Sequence, residues 1–177
     1  MTQRPDQNAF QTQPGGSSAE ALVVEHWAGV YRLMYRLTSN SHDAEDLTQQ
    51  SFLQAIEKFN QFQPGTNLRS WLLRIATNCF LDNRRRRRPN AVDGSTLDVA
   101  HAAPAIGEKL EQAELAGQLQ EALLKLPENQ RVIFLLRSTE DVSFREIGEL
   151  LGMTEVTARW HMLQARTRLL ELLKGKW

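Results

Sequence analysis

Residues 143–173, SFREIGELLGMTEVTARWHMLQARTRLLELL, decide the fold of the C-terminal part of the chain. Ser143 and Glu146 have the spacing of a capping box, so a helix is predicted to begin there and to end at Gly152. A longer basic helix then runs from Thr154 to about Leu173. A short helix, a tight turn and a longer helix make a helix-turn-helix, which lays its second helix in the major groove of DNA.

The longer helix has two faces of different chemistry. One face is apolar, and it includes Ala158, which is small enough for a second helix to cross closely. The other face can read DNA, because arginine grips guanine bidentately and glutamine does the same for adenine. An ordinary helical hairpin with a solvated basic face is the alternative interpretation. The side chains predicted to face the groove are Val156, Arg159, Trp160, Leu163, Gln164 and Arg166.

The N-terminal half of the chain also has helical periodicity. Apolar residues recur every three or four positions and predict three helices, while no alternating strand pattern is found. Ser41 is in position to cap the second of these helices. The third begins near Asn67, after a loop that contains Pro64 and Gly65. The predicted fold class is therefore all-α.

Composition divides the chain into four segments. A polar N-terminus rich in Gln, Pro, Gly and Ser predicts a disordered tail. A second segment with two prolines, small residues and no periodicity predicts a flexible linker between two small helical domains. The predicted segments are the tail at 1–19, a first domain at 20–88, the linker at 89–107 and a second domain at 108–177.

The third helix combines aromatic and basic side chains, which is typical of sites for opened DNA. Unpaired bases stack on aromatic rings while cations follow the phosphates. Five consecutive arginines repel one another, and a polyanion would relieve that repulsion. Core packing of Trp71 and Phe80, and a solvated helix end for the arginines, remain as alternatives. The residues predicted to contact opened DNA are Phe62, Arg69, Trp71, Arg74, Asn78, Arg84, Arg85, Arg86, Arg87 and Arg88.

Charge is balanced overall but separated along the chain. The 21 basic and 21 acidic side chains give a formal net charge of zero. Residues 89–130 hold seven acids against two lysines, a net charge of −5, between the arginine run and a basic C-terminus. This distribution suggests two surfaces that face nucleic acid and are held apart.

The sequence disfavours several protein classes. Cys79 is the single cysteine, so no internal disulfide can form and a reducing cytosol is the simple interpretation. The N-terminus lacks the apolar run of a signal peptide, and no stretch reaches the roughly 20 apolar residues of a membrane span. We therefore expect a cytoplasmic protein without direct membrane insertion. The four histidines have no metal-ligand spacing, and no metal or cofactor is expected.

Three stretches, in this order, resemble the extracytoplasmic-function group (group 4) of the sigma-70 family of RNA polymerase sigma factors. VYRLMYRLTSNSHDAEDLTQQSFLQAIEKFNQF is similar to the family's first conserved region with its polymerase-binding helix. RSWLLRIATNCFLDNRRRRRP is similar to its melting and −10 recognition helix. LPENQRVIFLLR, followed by VSFREIGELLGMTEVTARWHMLQARTRL, is similar to its −35 recognition domain. The resemblance implies a helical bundle, region 2, and a helix-turn-helix, region 4, that together act in transcription initiation.

The resemblance also implies partners. These are core RNA polymerase, promoter DNA and an anti-sigma factor. Phe62 and Asn78 would line the pocket for a flipped −10 base, Trp71 would support the melted edge, and the last helix would read the −35 element. The helix near 128–138 would meet the polymerase flap. The residues implied at the clamp helices of the largest polymerase subunit are Asp43, Asp46, Leu47, Gln49, Gln50 and Phe52.

The sequence departs from the family's pattern at several positions. Gln50 stands where the family often has an acid, so the clamp contact is expected to be weaker. Trp160 and His161 replace residues that are commonly Ser and Arg, so the −35 sequence of relatives does not carry over. Arg145 replaces a usual acid and is expected to add a phosphate contact beside the −35 element.

Two other functions fit parts of the chain. A stand-alone helix-turn-helix regulator would explain residues 143–173 but would leave residues 40–88 without a role. A recombinase or transposase needs a nucleophile with arginines, or a set of metal-binding carboxylates. Asp43, Glu45 and Asp46 cluster at one helix start, and no second carboxylate cluster completes a site. The chain is therefore not expected to be an enzyme.

Overall fold

The structure, a computed structural model, describes residues 19–87 and 108–174. Those residues form seven α-helices and a short 3-10 helix, without a strand among them, which confirms the predicted all-α class. The predicted linker, Arg88 and the tail up to residue 18 lie outside the described residues. The helices are α1 (Ala19–Thr38), α2 (Ser41–Glu57), α3 (Leu68–Arg87), α4 (Glu108–Leu124), α5 (Glu128–Thr139), α6 (Phe144–Leu151) and α7 (Glu155–Leu173), and the 3-10 helix is Phe59–Gln61.

Helices α1, α2 and α3 form a bundle in the N-terminal half, with α2 packed against both neighbours. Its core is built from apolar side chains at helical spacing, such as Leu33 and Leu37 on α1 and Leu72 and Ala76 on α3. Across the bundle, the ring of Phe52 stacks on Trp27 with 5.4 Å between centroids. Burial of these side chains is the main source of stability, because apolar surface leaves water.

The start of α2 differs from the prediction by one residue. Asn40, and not Ser41, is the cap, and its Oδ1 accepts a hydrogen bond from the backbone N–H of Asp43 at 2.9 Å. Both residue types are good caps, so sequence alone does not choose between adjacent candidates. The start of α3 near Asn67 is confirmed, since the Asn67 side chain accepts from the backbone N–H of Ser70.

The helix-turn-helix is confirmed by its hydrogen bonds. Ser143 and Glu146 cap each other reciprocally at the start of α6, with backbone-to-side-chain distances of 3.0 and 3.2 Å. Gly152 ends α6 in the left-handed region, at φ +65°. Thr154 then caps α7 by accepting from the backbone N–H of Thr157 at 3.1 Å. The apolar face of α7 packs on α5 and α6 and buries Ala158, Met162, Ala165 and Leu169, with Leu172 half-buried.

Gly148 allows the close approach that forms the turn between α6 and α7. A Cβ atom at this position would lie 2.7 Å from the backbone oxygen of Met153 and 3.3 Å from the nitrogen of Glu155. The Gly148 carbonyl also accepts a hydrogen bond from Met153 N–H at 2.9 Å. Because backbone atoms surround the site, a larger residue can fit only if α7 shifts.

We expect Gly148→Ala to lower the free energy of unfolding by about 1–3 kcal/mol, the usual cost of overpacking. Urea denaturation followed by circular dichroism measures this change. Gly117→Ala in α4 is the matched control, since no atom lies within 4 Å of a Cβ there. Equal stabilities of the two variants would show that the turn can relax around a methyl group.

Candidate nucleic-acid interface

One exposed face of α3 carries a line of side chains suited to nucleic acid. Trp71, Arg74, Asn78 and Arg85 recur at helical spacing, so they lie on one side of the helix. Arg74, Asn78 and Arg85 are exposed. At ~1.5 Å of rise per residue, the line is about 21 Å long. It can follow several nucleotides of one strand.

Three rings form a cluster at the start of this line. The Phe62 centroid lies 5.4 Å from Trp71 and 6.0 Å from Phe59, while Phe59 and Trp71 meet edge to face at 6.3 Å. All three residues are half-buried, so the rings hold one another in place and still leave surface exposed. Phe80 is different: it is 1% exposed, and its ring belongs to the core.

Arg69 and Arg84 project from the opposite side of α3, toward the C-terminal domain. The Arg69 guanidinium donates to the side chain of Glu140 and, at 3.2 Å, to its backbone oxygen. Arg84 Nε donates to the carboxylate of Glu128 at 3.2 Å. The arginines are half-exposed and the two acids are largely covered. Two predicted DNA-binding cations are thus neutralised by acids of the other domain.

Arg87 and Asp43 join two surfaces that the sequence predicted to be separate. The guanidinium of Arg87 donates to both carboxylate oxygens of Asp43, at 3.0 and 2.9 Å. These hydrogen bonds raise the pKa of Arg87 above its ordinary value. Asp43, predicted to bind polymerase, therefore ties the N-terminus of α2 to the end of α3.

Further contacts between the domains surround a buried arginine. Arg131 on α5 lies with its guanidinium carbon 6.0 Å from the ring centroid of Phe80. Burial, and secondly the charge of Arg84, lower the pKa of Arg131, and Glu128 opposes this shift. The Arg131 Nε has no hydrogen-bond partner among the described residues. Between α4 and α1, the Gln120 side chain donates to the backbone oxygen of Arg36 at 3.1 Å.

A cleft of about 400 Å³ separates the domains beside these contacts. Trp71 and Arg74 line it from α3, while Glu146 and Glu149 line it from α6. Arg145, predicted to contact a phosphate, pairs with Glu149 at 3.2 Å on the same helix. The start of the α3 line thus faces acidic side chains of the helix-turn-helix.

The exposed face of α2 contains only some of the residues predicted to meet polymerase. Asp46 and Gln49 are exposed and Gln50 is half-buried on one side of the helix. Leu47 and Phe52 are each 3% exposed, which corrects their assignment as contact residues. They pack in the core because they lie on the inner face of α2, and they position the helix without reaching a partner.

Two apolar residues on α2 were missed as surface residues. Leu53 is 64% exposed and follows Asp46 by two helical turns. Ile56 is 41% exposed on the same helix. The sequence could have identified Leu53 as a surface residue, because Leu53 falls outside the apolar periodicity of α2.

The outward face of α7 exposes Val156, Trp160 and Leu163. Arg159 is held to one side: its guanidinium lies 4.8 Å from the ring centroid of Phe144 and pairs with Glu155. Arg166 is exposed and Gln164 half-buried on the same helix. The residues predicted to face the groove are thus accessible on one face of α7. The apolar ones, Val156, Trp160 and Leu163, lie along the middle of that face.

The described residues contain no group of His, Cys, Asp and Glu side chains that could hold a metal ion. Among them, no helix is both long enough and apolar enough to cross a membrane.

Comparison with known families matches both domains. The description "Sigma-70 region 2" matches residues 22–89, and "Sigma-70, region 4" matches residues 116–169. The RNA polymerase sigma factor CarQ of Myxococcus xanthus is 33% identical over 154 residues, which cover 87% of this chain and 88% of that protein. The chain belongs to the sigma-70 family.

Other relatives place this sigma factor in the extracytoplasmic-function (ECF) group. The ECF RNA polymerase sigma factor SigE of Mycolicibacterium smegmatis is 39% identical over 169 residues, covering 94% of this chain and 65% of that protein. The sigma factor RpoE of Bartonella quintana, solved in complex with the anti-sigma factor NepR, is similar in structure. Its TM-score is 0.72 at 27% identity, covering 89% of this chain and 98% of that one.

The chain is therefore an ECF sigma factor for transcription initiation and not an enzyme. The match over residues 22–89 gives the N-terminal domain a role that a stand-alone helix-turn-helix regulator would lack. Sequence resemblance and structure agree on the same two domains.

Proposed function

We propose that this sigma factor captures the −10 element of promoters on the exposed line of α3. The observation that carries the proposal is the pairing of a fixed aromatic cluster at Trp71 with Arg74, Asn78 and Arg85 along one face. Stacking on an aromatic ring contributes ~1–3 kcal/mol per base, which offsets an unstacking cost of a few kcal/mol. Strand opening is then driven by binding energy without nucleotide hydrolysis.

Three other helices make the remaining contacts with promoter DNA and polymerase. Helix α7 reads the −35 duplex, and α5 meets the polymerase flap. Asp46, Gln49 and Leu53 on α2 face the clamp helices of the largest polymerase subunit, where their exposure makes a contact possible. Acidic and polar groups on such a surface steer association and give specificity more than raw affinity.

An anti-sigma factor is a proposed further partner. The support is the similar fold of the Bartonella quintana sigma factor, which was solved bound to one. A factor that works on promoters with polymerase acts where the chromosome is, so the proposed location is the cytoplasm.

In the free factor, the contacts between the domains compete with DNA. Glu140 and Glu128 neutralise Arg69 and Arg84, and acids of α6 face the cleft beside Trp71. Docking on polymerase would separate the domains and fix the distance between their DNA surfaces. The second DNA contact then becomes intramolecular and gains effective concentration.

Reconstituted transcription with core polymerase and a library of promoters tests the function and reads out promoter preference. We expect specific starts on a subset of templates only when this protein is present. Tight binding of duplex DNA without polymerase, together with no specific start on any template, would contradict the proposal.

We expect Leu53→Ala to weaken binding of core polymerase by about 3–10-fold. An exposed leucine contributes to binding because the partner removes its apolar surface from water. The double variant Asp46→Ala, Gln49→Ala should weaken it as well. Val24→Ala on α1 is the control, since Val24 is 84% exposed outside the proposed surface. Fluorescence titration measures the affinities, and unchanged values for both α2 variants would exclude this face.

Trp71→Ala should reduce promoter opening at least ~5-fold, as expected from the loss of one stacked base. Permanganate reactivity of −10 thymines in the polymerase complex measures opening. A template with an unpaired −10 region should restore most of the activity, and Trp71→Phe should retain most of the opening. An equal defect on the unpaired template, together with a loss of helical circular dichroism in Trp71→Ala, would assign Trp71 to folding.

The variant Glu128→Gln, Glu140→Gln should increase the affinity of the free factor for a promoter with an unpaired −10 region. We expect about a 3–10-fold increase, since Arg69 and Arg84 become available to phosphates. Glu57→Gln, Glu114→Gln changes the net charge equally at exposed positions and is the control. Equal increases in both variants, measured by fluorescence anisotropy, would show an effect of net charge only.

A further inference from the structure

We infer that this sigma factor reads thymine methyl groups in its −35 element through Val156, Trp160 and Leu163, which we call the apolar triad. The inference rests on the proposed role of α7 in the −35 duplex and adds the base chemistry that it selects. The triad is unusual for a DNA-reading helix because Val156 and Leu163 carry no hydrogen-bonding group, and Trp160 carries only its indole N–H.

The triad is both exposed and aligned. Val156, Trp160 and Leu163 are 75%, 53% and 60% exposed, respectively. Their spacing of four and then three residues places them along one line of α7. From Val156 to Leu163 the helix rises by ~10.5 Å, about the rise of three base pairs of DNA.

Thymine is the base that suits such a line. In the major groove it presents a C5-methyl group beside its O4 acceptor, and it is the only base of DNA with a methyl group there. Apolar contact with that methyl removes apolar surface from water on both sides. A G·C pair opposite Val156 or Leu163 would lose water from its polar groups without gaining a hydrogen bond, which is unfavourable.

The neighbouring polar side chain does not compete for the same bases. Arg159 is held beside the triad by Glu155 and by the ring of Phe144. A guanine contact by Arg159 would therefore flank the thymines. The base edges at the centre of the helix face are left to the triad.

The apolar line continues to Leu170, which is 66% exposed. In helix-turn-helix proteins the N-terminal residues of the recognition helix contact base edges, so Leu170 lies beyond the reading half. This makes Leu170 an internal control. An apolar helix of a protein partner is the competing occupant of the line.

The experiment uses the polymerase complex with the full chain. The −35 element is first selected from a randomised duplex library, and each selected thymine is then replaced by deoxyuridine, which lacks only the C5-methyl. We expect runs of A·T pairs in the selected duplexes, and a loss of affinity of about 3–5-fold for each methyl that the triad contacts.

The variants Val156→Ala and Leu163→Ala complete the test. Each should weaken binding to the thymine duplex and become insensitive to deoxyuridine at one position. Leu170→Ala should keep the full sensitivity of the original protein. These substitutions are at exposed positions, so circular dichroism should show unchanged folding.

The possible outcomes distinguish failure of this inference from failure of −35 recognition by α7. If replacing thymine by deoxyuridine leaves the affinity for the selected −35 elements unchanged, the inference is overturned, while −35 recognition by α7 stands. Failure to select any −35 sequence would overturn both. Full promoter affinity of Val156→Ala and Leu163→Ala would assign the triad to a protein partner and overturn the inference.

Discussion

Helix α3 presents cations on two opposite faces, and each face needs a different negatively charged neighbour. On one face, Arg69 and Arg84 pair with acids of the C-terminal domain. On the other, Arg74 is exposed one turn from Trp71, and Arg85 is exposed at the far end of the line, where it pairs with Asp82 at 3.3 Å. A single helix with cations on both sides thus links the proposed DNA surface of region 2 to the position of region 4.

The strength of these pairs permits an exchange of partners. Surface ion pairs contribute ~0–1 kcal/mol each, and the half-exposed guanidinium groups of Arg69 and Arg84 leave these pairs open to screening by water and salt. A DNA backbone offers many phosphates and releases counterions on binding, so it competes well with two isolated carboxylates. Arg131 carries a desolvation cost that offsets part of its contact with the Phe80 ring, since its guanidinium is buried with no partner for Nε among the described residues. The arrangement can therefore hold the domains together in the free factor and still open on polymerase.

The helix-turn-helix could be predicted almost residue by residue, while the interface between the domains could not. The capping box and the cap at Thr154 are made by hydrogen bonds three residues apart, so local sequence encodes them. The pairs of Arg69 and Arg84 join residues 71 and 44 positions apart, and composition does not reveal them. Leu47 and Phe52 were misplaced for a similar reason: proximity in sequence to Asp46 does not put them on the same face. Gly148 was missed because its role depends on a backbone oxygen of the following turn.

If α7 reads the −35 element as we propose, affinity and specificity come from separate side chains. Exposed cations such as Arg166 attract phosphates of any sequence, and their contribution falls as salt rises. The apolar triad contributes nothing to that attraction, and contact with a methyl group is nearly independent of salt. Discrimination between promoters is thus retained at ionic strengths where overall binding weakens. A helix that reads DNA through methyl groups needs its cations at its edges, which is where Arg159 is held.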